Sequence, residues 1–120
     1  MKAIVVEDHL GQGMVFKAAL DLASFETELI QDGTRALEVL REASPDLVLM
    51  DMHLPGMRGD EVVAQLKGYP NLSETKIIVA TGDPVIGKKM KGEVALVLIK
   101  PLGFSYLQQI SREIMSAIKT

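Results

Sequence analysis

Three features of this 120-residue sequence predict an α/β fold with a parallel sheet covered by helices on both faces. Four short apolar runs are continuous rather than alternating, which is how strands read when neither sheet face meets water. Segments with helical spacing lie between them. Strand and helix therefore alternate five times along the chain, and that alternation predicts a parallel sheet.

In chain order, Ala3 to Val6 is the first strand, cut off by Glu7-Asp8. Met14, Ala18 and Leu22 recur every four residues and mark the first helix. Glu26-Thr27-Glu28-Leu29-Ile30 is more polar and suits an edge strand. Ala36, Leu37 and Leu40 form a stripe after the Asp32-Gly33 turn, and Leu47 to Met50 is the third strand. Asp60 and Glu61 suit the first turn of a helix carrying Val62, Val63 and Leu66. Tyr69 and Pro70 read as loop, and Ile77 to Ala80 as the fourth strand. Pro84 can open a fourth helix. Gly87 then falls inside it and Gly92 soon after, so this helix is expected to be short or irregular. Ala95 to Ile99 is the fifth strand, and Leu107, Ile110, Ile114 and Ala117 give the last helix an apolar face. Phe16 and Phe25 read as core; Phe104 and Tyr106 read as packing for the last helix.

The bulk numbers narrow the function classes. A length of 120 residues is expected to form one domain, 1–120, and 48% hydrophobic content is enough for a real core. A net charge of −3 and a pI near 5.3 give no pull toward nucleic acid or an anionic membrane. The absence of cysteine excludes disulfides, thiolate catalysis and thiolate-held metals. The apolar start is too short for a signal peptide and no later run approaches a membrane span. A soluble cytoplasmic domain is the expectation.

In a sheet of this kind ligands bind beyond the carboxyl ends of the strands. Glu7 and Asp8 end the first strand, Asp51 the third, Thr81 the fourth and Lys100 the fifth. Strand ends are often polar merely because they meet solvent. Clustered carboxylates, however, repel one another unless something positive lies between them. A hard divalent cation with oxygen ligands answers that, and Mg²⁺ suits phosphoryl chemistry because it keeps waters for the substrate. Lys100 and Thr81 can then serve anionic oxygens opposite the metal.

The runs Val5-Val6-Glu7-Asp8, Leu47-Val48-Leu49-Met50-Asp51-Met52-His53-Leu54-Pro55-Gly56-Met57, Val79-Ala80-Thr81-Gly82 and Ile99-Lys100-Pro101 resemble the motifs of two-component response-regulator receiver domains. The likeness covers essentially the whole chain in order, with Asp60 in the helix after the Leu-Pro-Gly loop. It implies a flavodoxin-like, doubly wound sheet in the order 2-1-3-4-5, for which a receiver is a worked example. It implies that Asp51 is the nucleophile, taking a phosphoryl group from a phosphohistidine on a sensor histidine kinase or histidine phosphotransfer protein. Glu7, Asp8, Asp51 and the backbone carbonyl of His53 would hold Mg²⁺, with Mn²⁺ as the alternative. Thr81, Lys100 and backbone N–H groups of Met52 and Gly82 would face the phosphoryl oxygens, with Gly82 keeping the space open. The Lys100–Pro101 bond would be cis. Such a protein is a signalling phosphoacceptor, at most slowly self-dephosphorylating, rather than a metabolic enzyme. Its downstream protein target is unknown, and a homodimer is open.

The sequence departs from that pattern at Val97, where receivers usually carry a Tyr or Phe that turns inward on phosphorylation. An atypical output switch is therefore expected. His53 has two readings: a solvent-exposed side chain, or one that tunes phosphoryl lifetime or binds a transition metal. Lys88, Lys89 and Lys91 form either a solvated face or a docking patch for an acidic partner. Asp51-Met52-His53-Leu54-Pro55-Gly56 also matches the D-x-H-x-x-G of cobalamin-binding domains, but it follows the third strand rather than the first, and leaves Glu7, Asp8 and Lys100 unexplained. A receiver-like scaffold that is never phosphorylated is a second rival; a free-standing phosphatase or nucleotidase is a third, against which stands the lack of a second aspartate after Asp51 at D-x-D spacing.

Overall fold

The computed structural model describes residues 1–119. Five parallel strands, β1 (Lys2–Val6), β2 (Glu26–Ile30), β3 (Leu47–Asp51), β4 (Lys76–Thr81) and β5 (Leu96–Ile99), lie in the order β2-β1-β3-β4-β5. The helices are α1 (Leu10–Leu22), α2 (Gly33–Leu40), α3 (Gly59–Lys67), α4 (Pro84–Met90) and α5 (Phe104–Lys119), with a single 3-10 turn at Pro70–Leu72. This is the doubly wound order the sequence led us to expect.

The apolar runs are continuous because each strand feeds two cores at once. Successive side chains point to opposite faces, so Ala3 and Val5 join Phe16, Leu20, Leu107 and Met115 under α1 and α5. Ile4 and Val6 join Ala36, Leu40, Val63, Leu66 and Met90 under α2, α3 and α4. The edge strand β2 carries exposed Glu26 and Glu28, which discourage pairing with another chain.

Three expectations about faces need correction. Met14 and Leu22 are 53% and 62% exposed, so the stripe through Ala18 is the solvent side of α1. Its buried face is Gly13, Phe16, Ala19 and Leu20. A four-residue repeat fits either side of a helix, and the bulkier Phe16 and Leu20 take the sheet. In α5, Ser111 and Met115 are buried while Ala117 is exposed, and Phe104 and Tyr106 lie at the surface. Ser111 hides its hydroxyl by donating to Leu107 O at 2.6 Å, which lets a polar residue occupy an apolar face. Tyr69 is half-buried, and its hydroxyl accepts from Gln65 Nε2 at 2.8 Å.

The fourth helix is seven residues long, with Asp83 capping Val85 N at 2.9 Å and Pro84 opening it. Gly87 weakens it as a helix but explains its seat. A Cβ there would lie 2.6 Å from Ile99 Cδ1 and 3.4 Å from Val97 Cγ1, so only glycine lets α4 lie this close to β5 without displacing those side chains. At Gly59, which opens α3, a Cβ would meet the backbone oxygen of Met52 at 2.6 Å. Backbone cannot rotate away as a side chain can. Gly59→Ala is expected to cost about 2 kcal/mol in urea unfolding, the scale of an overpacked core; an unchanged midpoint would show that the loop yields freely.

Candidate functional site

Strand register builds the site. Val6 pairs with Met50, so Glu7 and Asp51 emerge side by side, and Asp51 pairs with Ala80. Thr81 pairs with Ile99, and the next amide, Lys100 N–H, donates to Thr81 O at 2.8 Å. The Lys100–Pro101 peptide is cis, as the resemblance implied.

Five expected side chains meet at this rim. Glu7, Asp51 and Thr81 are buried, at 1%, 6% and 0% exposure. Asp8 is exposed, yet its carboxylate oxygen and those of Glu7 and Asp51 all lie within 4.8 Å of one another. Lys100 Nζ sits 3.0 Å from Glu7 Oε1 and 3.4 Å from Asp51 Oδ2, reaching over the Phe16 ring at 5.9 Å from its centroid. One ammonium thus faces two buried carboxylates. Among the described residues Asp8 has no cationic partner within ion-pair distance.

Burial pushes the Glu7 carboxyl above its ordinary value of 4.5; Lys100 and the His9 N–H pull it down, while Asp51 pushes it further up. Burial thus makes the charged form of Glu7 harder to hold than that of an exposed carboxylate, and Lys100 is what opposes that cost. The donor set fits a hard divalent cation: carboxylate oxygens only, no sulfur, and one oxygen from each residue within 4.8 Å of the others. A cation there would offset both the burial and the Asp51 charge that raise Glu7.

The backbone cradle differs from expectation at one position. Met52 N–H donates to Ala80 O at 3.1 Å, extending the ladder between β3 and β4, so it is not free to face a phosphate. The amide that reaches the nucleophile is that of His53, donating to Asp51 Oδ1 at 3.0 Å. At Gly82 a Cβ would approach nothing nearer than Lys100 Cβ at 4.0 Å, so space alone does not require glycine there.

Sequence reasoning missed three participants. His9 N–H donates to Glu7 Oε2 at 3.2 Å, while its ring caps α1 by accepting from Gln12 N at 3.1 Å. Asp83 N–H donates to Thr81 Oγ1 at 3.0 Å. The Phe16 ring was read only as core. None carries a motif signal, because two act through backbone amides and the third through position on a helix. The His53 side chain is exposed, as the plainer reading held, yet its Nε2 lies 3.1 Å from Thr81 Oγ1. All three lysines of the cluster are exposed, and Lys89 pairs with Asp60 at 2.9 Å. No helix among the described residues is long and apolar enough to cross a membrane.

Comparison with known proteins agrees with this geometry. Residues 3–112 match the family described as the response regulator receiver domain. The sensor kinase/phosphatase LuxQ of Vibrio vulnificus is 33% identical over 105 residues, covering 85% of this chain but 12% of LuxQ. FilR2 of Methanothrix harundinacea is 31% identical over 92% of this chain and 79% of its own length. A solved CheY-like receiver domain from Methylobacillus flagellatus superposes with a TM-score of 0.82 at 28% identity, covering 95% of this chain and 98% of that one. The chain therefore belongs to the response regulator receiver domain family of two-component signalling.

Proposed function

We propose that this receiver takes a phosphoryl group on the Asp51 carboxylate, in a Mg²⁺-dependent reaction, from a phosphohistidine on a sensor kinase or phosphotransfer protein. A carboxylate oxygen of Asp51 forms the new O–P bond as the P–N bond of the donor breaks, and the leaving imidazole keeps the electron pair. Charge spreads over the transferring oxygens, so the protein's task is placement and neutralisation. Lys100 supplies positive charge, the Thr81 hydroxyl a hydrogen bond, and the amides of His53 and Gly82 complete the cradle. Glu7, Asp8, Asp51 and the His53 carbonyl would hold the ion, which offsets repulsion between the anionic nucleophile and the anionic donor.

The observation that carries this reading is the convergence of residues from position 7 to position 100 on one acidic pocket beside a single ammonium. Likeness to LuxQ, a sensor kinase/phosphatase, supports a histidine kinase as the upstream partner. The output is atypical in this proposal. Val97 is half-buried against the core under α4, with no ring to turn and no hydroxyl to present. Intact-mass measurement after incubation with acetyl phosphate should show one added phosphoryl group with Mg²⁺ and none after chelation. Labelling that ignores chelation would remove the metal from the mechanism.

A further inference from the structure

We propose that His53 is a positioning residue that acts through Thr81: its imidazole holds the Thr81 hydroxyl in the unphosphorylated protein and must let it go when Asp51 is phosphorylated. The inference rests on the phosphoacceptor reading above and adds a group competing for one proton.

A hydroxyl has one proton to donate and two lone pairs to accept with. Thr81 is fully buried, so its proton needs an acceptor inside the protein. Asp83 N–H lies 3.0 Å from Thr81 Oγ1, but an amide N–H only donates, so it fills a lone pair and leaves the proton unplaced. Among the described residues the one other partner is His53 Nε2 at 3.1 Å. The proton therefore points at Nε2, which assigns the ring's own proton to Nδ1. Phosphoryl oxygens are acceptors only. For Thr81 to serve them it has to withdraw its proton from His53 and turn it toward Asp51.

The imidazole is well placed to hold and release. Its backbone N–H is anchored on the Asp51 carboxylate at 3.0 Å, which fixes the loop relative to the nucleophile. Its side chain is exposed, so once Thr81 turns away, Nε2 can take a hydrogen bond from water and nothing is left unsatisfied. The imidazole thus favours the unphosphorylated arrangement by the net worth of one hydrogen bond. It does so from outside the set of groups that touch the phosphoryl.

Beryllofluoride with Mg²⁺, titrated into the whole chain and followed by amide NMR at Thr81 and Gly82, tests this; the chain has no tryptophan for a fluorescence readout. His53→Phe keeps a ring but accepts no proton, and should bind about fivefold more tightly than wild type, the effect of one net hydrogen bond. His53→Gln restores an acceptor and should return to the wild-type value. A side chain that merely fills space would be replaced better by Phe than by Gln. In free wild-type protein near pH 8, where an ordinary imidazole is neutral, the ring nitrogen shifts should report the Nδ1–H tautomer, a readout independent of any variant's folding. Equal or weaker binding by the Phe variant, matching gains in Phe and Gln, or an Nε2–H tautomer each overturn the latch alone. A wild type that gives no response to beryllofluoride overturns the phosphoacceptor reading and the latch with it.

Discussion

Asp51→Asn is expected to leave no detectable labelling by acetyl phosphate or phosphoramidate in the presence of Mg²⁺, because it removes the one buried carboxylate placed to be the nucleophile. Asp8 shares the acidic cluster but is exposed, and Glu7 is tied at one oxygen to Lys100 at 3.0 Å and at the other to His9 N–H at 3.2 Å. Asp51 Oδ1 accepts from the His53 amide, which orients it, while Oδ2 faces the Lys100 ammonium across 3.4 Å. An asparagine keeps the size and one oxygen, so the fold is expected to persist. It lacks the anionic oxygen that would attack phosphorus in the proposed reaction, and it would offer a metal a weaker ligand. Covalent catalysis depends on the activated nucleophile, so the loss should be total rather than graded. Full labelling of the variant would place the acceptor on another side chain.

The fold was legible because the doubly covered sheet leaves its mark on every residue of a strand. β1, β3 and β4 are apolar on both faces and could be read directly from composition. The face of α1 was not legible, because Leu10, Met14 and Leu22 are apolar and yet exposed, giving the helix hydrophobic residues all around. Periodicity alone cannot choose between two apolar sides; the packing of Phe16 and Leu20 on β1 and β3 chooses. The candidate side chains were legible because each falls at a strand end, inside a run that resembles a receiver motif. The amides were not. Every residue has an N–H, and only register shows that Met52 spends its own on Ala80 while His53 aims its own at Asp51. The His53 ring was ambiguous for a similar reason: its partner is twenty-eight positions away, brought near by the pairing of β3 with β4.

Lys100→Met should separate charge neutralisation from the rest of the site, since methionine keeps much of the stem over Phe16 and loses only the ammonium. In wild type the ammonium faces Glu7 and Asp51, both almost wholly buried. Removing it strips away the largest influence holding the Glu7 carboxyl down, so burial and Asp51 push that carboxyl further up. A carboxyl raised in the folded state binds its proton more tightly there than in the unfolded chain. Its penalty is therefore absent below the ordinary value of 4.5 and grows as pH rises from there through the folded value. The variant should lose about 2 kcal/mol of stability at neutral pH, below the usual cost of breaking a fully buried pair because Lys100 is 22% exposed. That deficit should shrink toward pH 5. Mg²⁺ should restore more stability to the variant than it adds to wild type, because the ion supplies the missing positive charge in the same pocket. Phosphoryl acceptance should nonetheless fail, since no metal bound by the acids can reproduce an ammonium on the opposite side of the transferring group. Equal stability of variant and wild type across this pH range, with no difference in their response to Mg²⁺, would mean that Lys100 is not the counter-charge on which the acidic pocket depends.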